Sequence, residues 1–180
     1  MTYFADLSIE SYLGRSLRPS RTVGWLDEHH AFPSGVPDPQ FLEALWNRSL
    51  IMVNPTRGFH LCAFCEVAPR LFSRNGVAIQ LGSAEIRVFD ACGDAFAAPD
   101  LLYHYVADHH YRPPPEFVTA VMSGPATGSD AYFKLLEECE RTWRHNPPID
   151  AEPRVFRFVR MGNEVRREVL EAGVWRADES

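Results

Sequence analysis

The chain has 180 residues, 46% of them hydrophobic, with a formal net charge of −6; that is enough apolar content for a real core at about the size of one domain. The acidic balance opposes general binding to a phosphate backbone, so a nucleic-acid role is disfavoured. No stretch approaches the ~18 uninterrupted apolar residues of a membrane span, and the start has neither a basic nor an apolar leader region, so a soluble cytoplasmic protein is expected.

Up to about Arg21 the chain shows little periodicity, with Phe4, Leu7, Ile9 and Leu13 placed as an apolar edge on loosely ordered strand and turn. Asp27, Glu28, His29 and His30 then form a polar knot beside Trp25 and Phe32-Pro33. Asp27 and His30 are a candidate acid/base pair, or a pair in which the carboxylate fixes the imidazole tautomer, but a solvated loop with one histidine satisfied by its neighbour is the commoner explanation. Asp38 is an N-cap with Pro39 at the first helical position, and Phe41, Leu42, Leu45 and Trp46 recur at helical spacing, predicting a helix over 39–48.

Residues 50–53 read as a buried strand leading to the segment Arg57-Gly-Phe-His-Leu-Cys62-Ala-Phe-Cys65. Residues 76–81 and 84–89 alternate apolar with polar or small side chains around Gly82-Ser83, predicting a β-hairpin. A helix starting at Pro99 carries His104 and His109 and stops at Pro113-Pro-Pro115. A short helix follows over 116–122. Ser129 or Asp130 opens another whose stripe runs from Tyr132 to Trp143, before Asn146-Pro-Pro148 ends it. A strand at 155–159, a turn at Met161-Gly-Asn163 and a closing strand or short helix complete the chain. The expected class is α+β: one domain over 1–180, with a zinc-bearing core to 122 and a helix-plus-strand extension from 123.

Cys62 and Cys65 form C-x2-C, and His104 and His109 form H-x4-H, two thiols and two imidazoles of the kind tetrahedral Zn2+ accepts. The order knuckle, hairpin, histidine-bearing helix is that of a ββα or treble-clef-like finger, enlarged because 38 residues separate Cys65 from His104. Residues five apart on an ideal helix are about 140° apart, so the histidine pair converges only if the last turn loosens. His60 is the reserve ligand, and His110 adjoins His109. The alternative is that the thiols are small buried hydrophobes and His104 a hydrogen-bonded core histidine. Cys139 lies in a helical pattern and Cys92 in a turn, so disulfides are not expected. Glu85 and Arg87 share a strand face and read as a cross-strand ion pair or a partner contact.

Tyr3-Phe-Ala-Asp-Leu7, Val23-Gly-Trp-Leu-Asp27, Arg57 to Cys65, Gly82-Ser-Ala-Glu-Ile-Arg-Val88 and Ala98 to Val106 together resemble a family of small uncharacterised bacterial proteins, chiefly actinobacterial, over about residues 3–122. The resemblance implies that the His-Cys-Cys-His region is one unit; the family carries no established activity. The functional expectation is a zinc-stabilised binding or accessory module that recognises a protein partner. A small zinc-dependent hydrolase, using His60, one thiol and a helix histidine with Asp27, His30 or Glu85 as proton carrier, is the alternative.

Overall fold

The computed structural model describes residues 2–9, 14, 16–65, 71–141 and 143–146, and the backbone of 156–161, 164–171 and 174–177. After a short strand β1 (Arg21–Thr22), helix α1 (Pro39–Arg48) begins where expected: the Asp38 carboxylate accepts the Gln40 N–H, and Pro39 occupies the first turn. Proline is harmless there because its missing N–H would have had no intrahelical partner. Strand β2 (Ile51–Val53) precedes a hairpin of β3 (Leu71–Arg74) and β4 (Val77–Gln80). Its turn is Asn75-Gly76, both at positive φ (51° and 76°), the conformation that a two-residue hairpin loop demands.

Strands β5 (Glu85–Phe89) and β6 (Ala95–Pro99) pair antiparallel around a turn tied by Asp90, whose Oδ1 accepts the N–H groups of Cys92 and Asp94. Helices α2 (Leu102–His109), α3 (Pro115–Ser123) and α4 (Asp130–Cys139) follow, the last capped by the Ser129 hydroxyl, which accepts the Tyr132 N–H. Strand β7 (Trp143–His145) completes a sheet of order β1-β6-β5-β2-β7, in which β1 runs parallel to β6 and the other pairings are antiparallel. Strands β8 (Phe156–Met161), β9 (Glu164–Glu171) and β10 (Val174–Ala177) form an antiparallel sheet of their own.

Alternation along β5 divides the interior. Ile86 and Val88 join the larger core with Leu45 of α1, Tyr105 of α2 and Phe117 of α3. Phe89 packs instead with Tyr132, Leu136 and Cys139 of α4, and the Tyr132 hydroxyl donates to the Arg87 carbonyl. Successive strand side chains point to opposite faces, so both faces of the sheet are covered.

Several expectations are corrected. Residues 76–81 and 84–89 do not pair with each other: β4 pairs with β3, and β5 with β6 and β2. The hairpin turn is Asn75-Gly76, while Gly82, Ser83 and Ala84 donate their N–H groups to the Asp100 carboxylate and so separate the two strands. Pro99 ends β6 rather than opening α2, and Trp143 belongs to β7 because α4 stops at Cys139. Phe4 meets Trp25 edge-on and Leu7 packs on the core, but Ile9 is exposed. Leu13 and the turn at 162–163 lie outside the described residues. The tail after 155 is stranded throughout its described part, with no helix there.

Candidate metal centre

The thiol arm is fastened by backbone bonds on either side of Gly58. Thr56 N–H donates to the Ser83 carbonyl (2.7 Å), and His60 N–H donates to the Gly82 carbonyl (2.6 Å). Gly82 has φ +101°, and a Cβ there would stand 2.4 Å from the His60 carbonyl oxygen, so only glycine permits this approach. On its other side Asp100, buried, accepts N–H bonds from Gly82 (2.8 Å), Ser83 (3.1 Å) and Ala84 (3.1 Å). Asp100 directly precedes the helix α2 turn, so one carboxylate ties the loop holding the thiol arm to the helix that carries the histidines. Burial pushes its pKa up to about 7, against the opposing pull of these N–H donors.

Two residues beyond His60 the chain turns at Cys62, where the Phe64 N–H donates to Cys62 Sγ at 3.4 Å. On α2 the last turn is widened. His110 adopts a left-handed φ of 57°, its N–H bonds to the Tyr105 carbonyl five residues back, and the Tyr111 N–H bonds to the same oxygen. A wider turn advances less per residue, which brings residues five apart nearer one face. His104 and His109 thereby stand with their rings at 85° and their Nε2 atoms 3.2 Å apart.

Four donor atoms, from Cys62, Cys65, His104 and His109, all lie within 4.8 Å of one another. Cys62 Sγ is 3.2 Å from His109 Nε2; Cys65 Sγ is 3.3 Å from His104 Nε2 and 3.2 Å from His109 Nε2. A tetrahedron with Zn–S of about 2.3 Å and Zn–N of about 2.0–2.1 Å has S···N and N···N edges of roughly 3.3–3.6 Å. The residues fit that group.

His104 Nδ1 is 2.6 Å from Asp108 Oδ2. A carboxylate there accepts a hydrogen bond from Nδ1–H, which keeps the proton on Nδ1 and leaves a lone pair on Nε2, the atom that faces the thiols. Cys62 and His104 are buried, Cys65 is half-buried, and Phe72 and Phe64 lie 5.1 and 5.4 Å from the His104 and His109 rings. Burial, and then the neighbouring Cys65 thiol, push the Cys62 pKa up to about 11, while burial and the adjacent His104 lower that of His109. A cation seated among these donors must therefore displace the Cys62 proton, whereas burial already disfavours the charged form of the His109 imidazole.

The structure brings together the four residues that spacing singled out and leaves the reserves aside. His60 is outside the group and lines a small cavity with Asn54, Gly82 and Asp100, and His110 closes α2. Asp27 and His30 do pair, at 2.7 Å, in an exposed turn where Asp27 Oδ1 also accepts the N–H groups of His29 and His30. The His30 hydrogen bond lowers the Asp27 pKa, and the His30 ring stacks on Tyr3 at 3.7 Å. Glu85 and Arg87 bond to each other along one strand, not across two, at 2.7 Å in the interior. All four cysteines are free thiols. Sequence reading missed Asp108, which four residues after His104 on one helix was a findable signal, and Asp100, which had none.

No described helix is long and apolar enough to cross a membrane. No curated protein and no solved structure matches the chain. One family model does, over residues 2–122, a span that contains both halves of the Cys/His cluster and stops at the end of α3; the chain thus belongs to the family described as Domain of unknown function (DUF7919).

Proposed function

We infer that the protein is a zinc-stabilised binding module: Cys62, Cys65, His104 and His109 hold one Zn2+ in a closed structural site, and the surface so fixed recognises a protein partner in the cytoplasm. The observation carrying this reading is the mutual approach of two thiols and two imidazoles to within 4.8 Å. Four protein donors fill a tetrahedral shell and leave no place for a hydrolytic water, which disfavours the hydrolase. Asp108, the carboxylate beside the site, is engaged by His104 Nδ1 rather than held over an open position. Support for a partner comes from the thiol arm itself, where Phe59 and Leu61 are exposed, as is Leu71 beside Phe72. Exposed apolar side chains held on a rigid arm are what a partner buries.

Metal analysis of the purified protein tests the site. One zinc per chain is expected, lost in Cys62→Ser and His104→Ala, with chelation unfolding the protein. A metal-free preparation of equal stability would overturn it. For the partner, Leu61→Asp is expected to retain zinc and lose whatever protein co-purifies with the wild type.

A further inference from the structure

A second polar cluster is independent of the zinc reading and contains none of the metal donors. Arg87, 1% exposed, is held between Glu85 (2.7 Å) and Glu140 (2.5 Å), with Asn54 Nδ2 3.3 Å from an oxygen of each carboxylate. Among the described residues the cluster counts two carboxylates and one guanidinium, a formal charge of −1 in the interior, which is a costly arrangement without a further cation. Glu140 is fully engaged, since Arg87, Ser16 and Asn54 all donate to it. Glu85 is not. Its Oε2 takes Arg87, its Oε1 has only the long Asn54 contact among the described residues, and the residue lines a cavity of about 360 Å³ with Ser16, Ser20, Thr22, Trp25 and Arg87.

Ser20 supplies an independent sign of a missing guest. It is 94% buried, and its hydroxyl has no hydrogen-bond partner among the described residues. Buried hydroxyls are normally satisfied, so an orphan on a cavity wall marks a place where a polar group fits. Trp25, whose indole N–H donates to the Ala97 carbonyl, lines the same cavity. An anion is disfavoured: Arg87 already donates to Glu85, Glu140, Ser16 and the Ile86 carbonyl, and Arg18 on the cavity wall is paired with Glu138. The volume suits a small organic molecule better than a bare ion.

We propose that this cavity binds a small organic cation, an alkylammonium or guanidinium compound, with its N–H groups on Glu85 Oε1 and Ser20 Oγ and its carbon body against Trp25. The charge of the guest offsets the surplus carboxylate, and the aromatic wall favours cations over neutral molecules of equal size.

Calorimetry on the full zinc-loaded chain, with agmatine and butylammonium as probes and 1-butanol and butyrate as controls, tests this. Saturable binding of at least one cation is expected, with neither control binding. Ser20→Ala removes a hydroxyl that has no partner, so melting temperature and zinc content hold while affinity falls at least about threefold. Glu85→Gln is expected to lower affinity by about thirtyfold or more. If that variant does not fold, Ser20→Ala and the butylammonium–butanol comparison decide. No binding of either cation up to about 10 mM, equal binding of butanol, or an unchanged affinity in Ser20→Ala overturns the assignment.

Discussion

Asp108 Oδ2 lies 2.6 Å from His104 Nδ1, and the other nitrogen of that ring lies 3.3 Å from Cys65 Sγ. The buried histidine is thus gripped from both ends, by an exposed carboxylate one helical turn on and by the donor cluster. Since Asp108 contributes little to the core, its effect is separable from folding. Asp108→Asn is expected to lower zinc affinity by about 10–100-fold with little change in the zinc-saturated fold. Competition against a chromogenic chelator measures this, and an unaltered affinity would show that the pair is only a surface contact.

Zinc affinity is expected to rise with pH. The Cys62 thiol, pushed up to about 11 by burial, is protonated at neutral pH in the metal-free protein, so binding as a thiolate expels its proton. Each proton released per zinc corresponds to about a tenfold gain in affinity per pH unit near neutrality. Calorimetry in buffers of different ionisation enthalpy counts those protons; a count near zero would be incompatible with thiolate ligation.

Gly82→Ala is expected to be among the more damaging single-atom-scale changes in the chain. It combines a φ of +101° with a Cβ 2.4 Å from the His60 carbonyl, a backbone atom that cannot swing away. A loss of about 2 kcal/mol or more is expected, with weaker zinc binding because the thiol arm is displaced. Gly76→Ala, also at positive φ but facing open space, should cost only about 1 kcal/mol. Denaturant titration of the two variants at saturating zinc separates close contact from backbone conformation.

Asp100 sets a pH dependence of opposite sign to that of the metal. Its folded pKa, about 7, stands above its unfolded value, so its contribution to stability is fully present below about pH 4 and is lost as pH rises to about 7. A shift of that size corresponds to a few kcal/mol. Asp100→Asn cannot ionise. The stability difference between wild type and variant, both zinc-saturated, should therefore shrink with rising pH across that window, and a constant difference would argue that the three N–H donors hold the carboxylate ionised throughout.

Arg87→Leu leaves Glu85 and Glu140 facing each other in the interior. Removing one partner of a buried charged cluster costs about 3–5 kcal/mol. Thermal melts of the wild type and the variant at neutral pH would reveal the loss, and equal melting temperatures would show that the cluster contributes nothing to stability.

The features legible in the sequence are those decided within one or two turns of chain. Asp38-Pro39 and Ser129 mark the starts of α1 and α4 because caps act on N–H groups two or three residues away. Cys62-x2-Cys65 and the histidine pair announce a Cys/His cluster compatible with a metal because each half is local chemistry. Asn75-Gly76 is equally readable as a hairpin turn, but the stronger alternation on either side of Gly82-Ser83 points to a pairing that the fold does not make. Nothing near Gly82 shows that Asp100, eighteen residues on, will take its N–H and that of its neighbours and turn β4 and β5 away from each other. The meeting of Arg87 with Glu140, across 53 residues, was likewise out of reach. Capping, turn geometry and ligand type act over a few ångströms along the backbone and are written into adjacent residues. Strand partners, the widened end of α2 and the buried charges depend on which distant groups can satisfy one another once water is excluded, and that is settled only when the whole chain packs.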